Sequence, residues 1–138
     1  MKTIKKIHHV AMVVSDLEKS LSFWQDALGM DVGEIRDVPE QKARIAFLPA
    51  GGSEIELVLP TDPESGMGRY LAKRGPGMHH VCLEVVGIDA LLVDLKAKGV
   101  RMIDEFPRLG AQDRKYAFVH PESTGGVLVE LYELPHAG

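Results

Sequence analysis

Histidine and glutamate recur in this chain at matched places. Residues 7–14 (IHHVAMVV) and 78–85 (MHHVCLEV) each carry His-His-Val, with the second copy 71 residues after the first. Two later stretches, SEIELVLP at 53–60 and GVLVELYELP at 126–135, each set a glutamate, Glu56 or Glu130, within an apolar strand pattern. Side chains alternate faces along a strand. His9 therefore shares a face with Ala11 and Val13, and its copy His80 with Cys82 and Glu84. Val10, Met12 and Val14, and then Val81, Leu83 and Val85, form the opposite apolar faces. Glu56 stands with Glu54 and Val58 against Ile55, Leu57 and Leu59, and Glu130 stands with Leu128 and Tyr132 against Val127, Val129 and Leu131. Each half thus offers one imidazole and one carboxylate, His9 with Glu56 and His80 with Glu130. If the sheets curl into a half-barrel, the four point at one centre. Two neutral imidazoles and two carboxylates balance one divalent transition ion such as Co²⁺, Mn²⁺, Zn²⁺ or Ni²⁺. Four ligands of an octahedron leave two adjacent positions for water or a chelating substrate.

The bland alternative is that a strand glutamate opposite an apolar face is solvated and a strand histidine merely packs. Buried carboxylates are costly unless paired or metal-bound, however, and packing alone does not call for them. The matched placing in both halves favours the metal reading.

The elements that position these residues are themselves written twice. After each His comes a helical segment ending at glycine. The first runs from Asp16 to Leu28, with Leu17, Leu21, Trp24 and Leu28 on one stripe, Ser15 and Glu18 as a capping box, and Gly29 after it. The second runs from about Ile88 to Lys98, with Leu91, Leu92 and Leu95 facing inward and Gly99 after it. IAFLP (45–49) is echoed by YAFVHP (116–121), and the Glu56 and Glu130 strands follow. MDVGEIRD (30–37) and VRMIDEF (100–106) read as further strands. Each half therefore reads βαβββ, and the fold class is α+β. Half-modules at about 1–62 and 75–138 form one domain through a linker at 63–74 that carries a short helix near 68–73. One half alone is too small to bury a good core. Pairing the halves about a pseudo-twofold axis, as a cupped mixed sheet around the metal site, solves that.

The bulk numbers narrow the function. The chain has 138 residues, a net charge of −4 and one cysteine, Cys82. That excludes an internal disulfide framework and fits a soluble protein of the reducing cytoplasm. There is no basic stripe for nucleic acid, no signal peptide and no membrane-length apolar run. No phosphate-binding glycine loop, nucleophile elbow or CxxC pair occurs.

The remaining candidates are weaker. His8 and His79 read as packing groups, His120 as a strand end or ligand contact, and His136 as a solvated tail residue. Cys82 packs beside the cavity, and Glu40 sits in a loop. Arg108, Arg114 and Lys115 flank the loop LGAQD, where solvation and a phosphate-bearing ligand are both open readings.

The duplicated pattern, with one His and one Glu per half, resembles the vicinal oxygen chelate superfamily and, within it, the methylmalonyl-CoA epimerase family. The likeness covers nearly the whole chain. It is carried by VPEQKARIAFLP, LPTDPESGMGRYLAKRGPGMHHVCLEV, LKAKGVRMIDEFPRLGA and AFVHPESTGGVLVEL. The last stretch is the most specific, because glyoxalase I, a cousin, typically has a Pro-Asp-Gly turn where this chain has HPESTGG. The resemblance implies metal ligands at His9, His80 and Glu130, with Glu56 at the fourth position, and one divalent ion per chain, Co²⁺ favoured. It implies interconversion of (R)- and (S)-methylmalonyl-CoA by C2 proton abstraction, with Glu130 as one base and Glu56 as the other. It also implies an acyl-CoA substrate and a homodimer. Some bacterial relatives carry a second catalytic glutamate on the strand after PEQ, where this register places Ile45. Glu56, the loop residue Glu40 or a water then takes that role. The rival expectations are a glyoxalase I-type isomerase and a metal-free binding protein on the same fold.

Overall fold

A computed structural model describes residues 3–135, so His136 lies outside the described residues. These residues divide into two compact units, one of residues 9–79 and one of residues 3–8 with 80–135. The boundary runs through both His-His pairs: His9 and His79 belong to the first unit, His8 and His80 to the second.

The 9–79 unit takes β1 (Ile4–Val13) from His9 onward, then α1 (Leu17–Leu21), β2 (Glu34–Val38), β3 (Ala43–Ala50), β4 (Ser53–Pro60) and α2 (Gly66–Arg74). Its strands lie in the order β2-β3-β4-β1, with β1 parallel to β4 and the other pairs antiparallel. A parallel neighbour needs a crossover, which α1 with β2 and β3 provides. The alternation read from the sequence decides the packing. Met12, Val14, Ile55, Leu57 and Leu59 face Leu17, Leu21 and Trp24 of the helical segment. On the other face, beyond His9 and Glu56, Ala11, Val38, Ala43, Ile45 and Val58 pack with Phe47 and Met67 of α2. That face is closed by apolar side chains over much of its extent.

The other unit takes β5 (Gly77–Val85) from His80 onward, then α3 (Ile88–Ala97), β6 (Arg108–Leu109), β7 (Lys115–Val119) and β8 (Val129–Glu133). The order is β5-β8-β7-β6, with β5 parallel to β8. Leu83, Val85, Ala117, Val119, Val129 and Leu131 pack on Ile88, Leu92 and Leu95. Gly87 gives α3 no capping side chain. The Glu133 carboxylate takes that place, accepting from the Gly87 and Ile88 N–H groups at 2.6 and 3.1 Å. Residues 3–8 join this unit through the Val86 N–H to Thr3 carbonyl bond at 2.9 Å and the Lys5–Glu84 ion pair at 3.1 Å.

Four local expectations are corrected. The cap of the first helix is Asp16, whose carboxylate accepts from Lys19 N–H at 3.0 Å, so the Ser15–Glu18 box does not form. An anion at a helix N-terminus is favoured by the dipole as well as by the hydrogen bond. The segment then widens into a π-helix at Ser22–Ala27, with Leu28 N–H bonding to Phe23 O at 2.8 Å. The wider turn breaks the 3.6-residue stripe and leaves Leu28 54% exposed. Residues 100–106 form no strand beyond a single bridge, Met102 to Val119. Asp104 there uses its side chain to accept the Phe118 N–H at 2.9 Å, and Pro107 has no N–H to continue a ladder. The strand predicted at 30–37 begins only at Glu34.

Among the described glycines, Gly68 meets the closest backbone. A Cβ there would lie 2.8 and 2.9 Å from the Pro63 Cα and carbonyl carbon, and closer still to the Asp62 carbonyl oxygen. Gly68→Ala must push the linker off α2, and overpacking of this kind costs about 1–3 kcal/mol. Thermal unfolding should show a lowered Tm; an unchanged Tm would mean that this approach is not a constraint.

Candidate functional site

The parallel pairing of β1 with β4 sets Ala11 opposite Glu56 and His9 opposite Glu54. Ala11 is fully buried and carries only a methyl group, so the His9 ring reaches diagonally past it to Glu56. His9 Nδ1 lies 3.3 Å from Glu56 Oε2, with the two side chains 8% and 13% exposed. On its other side Glu56 is paired across the antiparallel ladder with Phe47.

The second unit repeats the strand register, with Cys82 in place of Ala11. Cys82, fully buried, stands opposite Glu130 in the parallel β5–β8 pair, and Phe118 stands opposite Glu130 on β7. His80 Nε2 lies 3.2 Å from Glu130 Oε1. The Phe118 ring meets the His80 ring edge-on, with centroids 5.5 Å apart. Phe47 and Phe118 are 71 residues apart, the same spacing as the histidines. The sequence echo IAFLP/YAFVHP carried that signal, although the phenylalanines were not singled out.

Within each unit the structure thus brings together the His and Glu expected to act together. An imidazole nitrogen and a carboxylate oxygen at this distance share either a proton or a cation. Mixed N/O donors, buried and anionic overall, fit a divalent metal ion.

The first histidine of each pair has a different partner. His8 meets the Tyr132 ring at 4.7 Å, and His79 meets the Tyr70 ring edge-on at 4.8 Å. Tyr70 donates its hydroxyl to the Met78 carbonyl at 2.9 Å. His120 ends β7, its Nδ1 accepting the Glu122 N–H at 3.0 Å. Glu40 is exposed in a short 3-10 turn at Pro39–Gln41. Ile45, where some relatives place a second glutamate, is buried among Val38, Ala43 and Val58.

The two sites differ in what surrounds the carboxylate. Two residues beyond Glu56 stands Val58, which pairs with Ile45. Two residues beyond Glu130 stands Tyr132, which pairs with Tyr116. The Arg114 guanidinium lies 5.6 Å over the Tyr132 ring. Burial pushes the Tyr132 hydroxyl up to about 12; Arg114 opposes that, and the Glu130 and Cys82 charges add to it.

The fold and the duplicated His/Glu register define a class of protein. The chain belongs to the glyoxalase/bleomycin resistance protein/dioxygenase superfamily, whose family model matches residues 8–118. Within that superfamily several of its relatives are methylmalonyl-CoA epimerases. The mitochondrial methylmalonyl-CoA epimerase of Mus musculus is 41% identical over 127 residues, 91% of this chain and 71% of the mouse protein. The crystal structure of methylmalonyl-CoA epimerase from Mycobacterium tuberculosis superposes with a TM-score of 0.85 at 33% identity, covering 99% of this chain and 92% of that one. A methylmalonyl-CoA epimerase in complex with methylmalonyl-CoA and NH4+ gives a TM-score of 0.84 at 32% identity, covering 96% of each chain. A probable lactoylglutathione lyase of Arabidopsis thaliana is more distant, 28% identical over 94% of this chain and 36% of its own length.

Tyr132 generates a pH prediction. Its raised value means that the folded state holds the phenolic proton when the unfolded chain would release it. Stability linked to this group is present below about 10 and is lost as the pH rises toward about 12. Alkaline absorbance titration should show a tyrosinate step near 12 that disappears in Tyr132→Phe. Retention of that step in the variant would assign it elsewhere.

Proposed function

We propose that this chain interconverts the two C2 epimers of methylmalonyl-CoA, with His9, Glu56, His80 and Glu130 holding one divalent ion. The reading rests on one observation above others: both units present a buried His–Glu pair in the same strand register. Membership of the superfamily, with epimerases as relatives, supports it. Co²⁺ is the ion we favour, with Mn²⁺, Zn²⁺ and Ni²⁺ as alternatives compatible with the donors. The two half-modules act as one domain. We also assign a homodimer, since β2 and β6 stand at the edges of their units' sheets. The single buried cysteine suits a reducing cytoplasm. Among the described residues no helix is long and apolar enough to cross a membrane.

The chemistry follows from the acidity of C2, which lies between a thioester and a carboxylate. A divalent ion, when bound, supplies Lewis acidity worth several kcal/mol toward the negative charge that develops as C2 loses its proton. Glu130 takes the proton from one face of C2, and Glu56, the carboxylate of the other unit, returns one to the opposite face. A positioned carboxylate contributes about 10²–10⁴-fold. His9 and His80 hold the two carboxylates in place, and Phe47 and Phe118 flank them. Because Ile45 carries no proton-transfer group, we assign that role to Glu56, whose strand partner Phe47 is two residues from Ile45. Deprotonation from one face and reprotonation on the other inverts C2.

The purified protein, metal-loaded, should incorporate deuterium at C2 of methylmalonyl-CoA in D₂O, read by mass spectrometry. Glu130→Gln keeps the side-chain shape and should cut exchange by about 10²-fold or more; a fully active variant would remove Glu130 as a base. No exchange by folded, metal-loaded wild type would turn the reading toward hemithioacetal substrates. His80→Ala should separately lower the bound metal measured by elemental analysis, and an unaltered metal content would take His80 off the ligand list. Absence of metal in wild type would favour a binding protein.

A further inference from the structure

The unit that carries His80 and Glu130 has polar groups on its site face that the reaction does not use. Along β8 the face runs from Glu130 to Tyr132, and across β7 from Phe118 to Tyr116, which pairs with Tyr132. Beyond β7, Arg108 of β6 pairs with Tyr116. Each tyrosine carries an arginine: Arg108 lies 5.7 Å over the Tyr116 ring and Arg114 lies 5.6 Å over Tyr132. A guanidinium over a ring is held there by cation–π attraction. The loop between them is shaped for this. Gly110 crosses the Tyr116 ring so closely that a Cβ would meet it at 3.3 Å. Gln112 and Asp113 both adopt left-handed backbone, with φ of +59°. Gln112 in turn accepts from Arg114 through its side-chain oxygen at 2.8 Å. Two consecutive non-glycine residues in that region cost energy and persist where the surroundings fix them, often at ligand clamps. Acidic groups meet the pair only loosely: Asp104 Oδ1 makes a long ion pair with Arg108 at 3.9 Å while its Oδ2 accepts the Phe118 N–H, and Asp89 is taken by Lys115 at 2.8 Å.

We propose that Arg108 and Arg114, stacked on Tyr116 and Tyr132, form an anion subsite for a phosphate of the coenzyme A tail. This rests on the acyl-CoA reading above and extends it. A planar guanidinium matches the bidentate geometry of phosphate oxygens. Their distance from the chemistry also suits the tail rather than the acyl group. Arg108 is two strands across and two residues along from Glu130, about 12 Å by strand spacing and rise. The pantetheine arm is as long as roughly four residues of extended chain, about 14 Å. The matching face of the other unit has Ile45 and Val58 where this one has Tyr116 and Tyr132, so only one half is equipped for a charged tail.

The test compares three thioesters of the same acyl group: the full coenzyme A ester, its 3′-dephospho form and the pantetheine ester, which lacks every phosphate. For the double variant Arg108→Gln/Arg114→Gln, the preference in kcat/KM for the full ester over the pantetheine ester should fall 10- to 100-fold, through KM. If the preference also falls for the 3′-dephospho ester, the diphosphate is the partner; if only the full ester suffers, it is the 3′-phosphate. An equal loss on the pantetheine ester would place the arginines at the acyl carboxylate and overturn the subsite, as would an unaltered preference. Calorimetric binding of coenzyme A itself, which needs no turnover, separates the two readings. Arginine-dependent binding without epimerisation keeps the subsite and sinks the reaction, whereas turnover with arginine-independent binding does the reverse. Arg114→Lys keeps the charge without the planar stack and should recover only part of the preference.

Discussion

A carboxylate held away from water must have a cation or a donor at hand, because the desolvation cost amounts to several kcal/mol. Glu130 and Glu56 are in that position, each nearly buried and each facing one imidazole. The rest of the fold can be seen as the means of keeping that imidazole in reach. The parallel pairs β1–β4 and β5–β8 place Ala11 and Cys82 directly opposite the glutamates. Because these residues are small, the histidine two positions earlier can lean across. A slip of one residue in either strand would swing the imidazole to the helix-facing side and strand the carboxylate. The helices α1 and α3 oppose such a slip by anchoring the apolar face, through Leu17 and Leu21 in one unit and Ile88 and Leu92 in the other.

The two units have kept this register and diverged around it. Beyond Glu56 the face is apolar, with Val58, Ile45 and Ala43 packed under Met67. Beyond Glu130 it is aromatic and charged, with Tyr132, Tyr116 and their arginines. At the position matching Val13, which is fully buried, the second unit has Glu84 paired with Lys5. Such asymmetry is expected of a duplicated scaffold acting on an asymmetric substrate. Proton transfer at the two faces of one carbon asks for the same group twice. Recognition of a thioester with a single charged tail asks for a cationic wall once.

How much of this the sequence disclosed depends on the range of the interaction. The His–Glu pairing was legible because a strand period of two and a repeated offset survive any uncertainty in element ends. The helix stops at Gly29 and Gly99 were legible for the same reason: left-handed backbone, φ +86° and +83°, is a local demand. The π-turn after Leu21 was not, since no residue of Ser22–Ala27 carries a local signal for it. Residues 100–106 have the composition of a strand, yet a single carboxylate, Asp104, competes with the backbone for the Phe118 N–H. Nor could local pattern place residues 3–8 with the C-terminal unit, because that depends on Glu84 and Tyr132, far away along the chain.

The His-His dipeptide draws these threads together. Adjacent residues in a strand face opposite ways, so each copy sends its second histidine to a carboxylate and leaves its first to another surface. Those first histidines both rest on tyrosine rings, His8 on Tyr132 and His79 on Tyr70. The chain crosses from one unit to the other between the two residues of each dipeptide. In both copies one histidine makes a ring contact within its own unit and its neighbour makes a His–Glu pair within the other. Each dipeptide thus supplies both a ring contact and a His–Glu pair, which gives a physical reason for writing the same two residues twice.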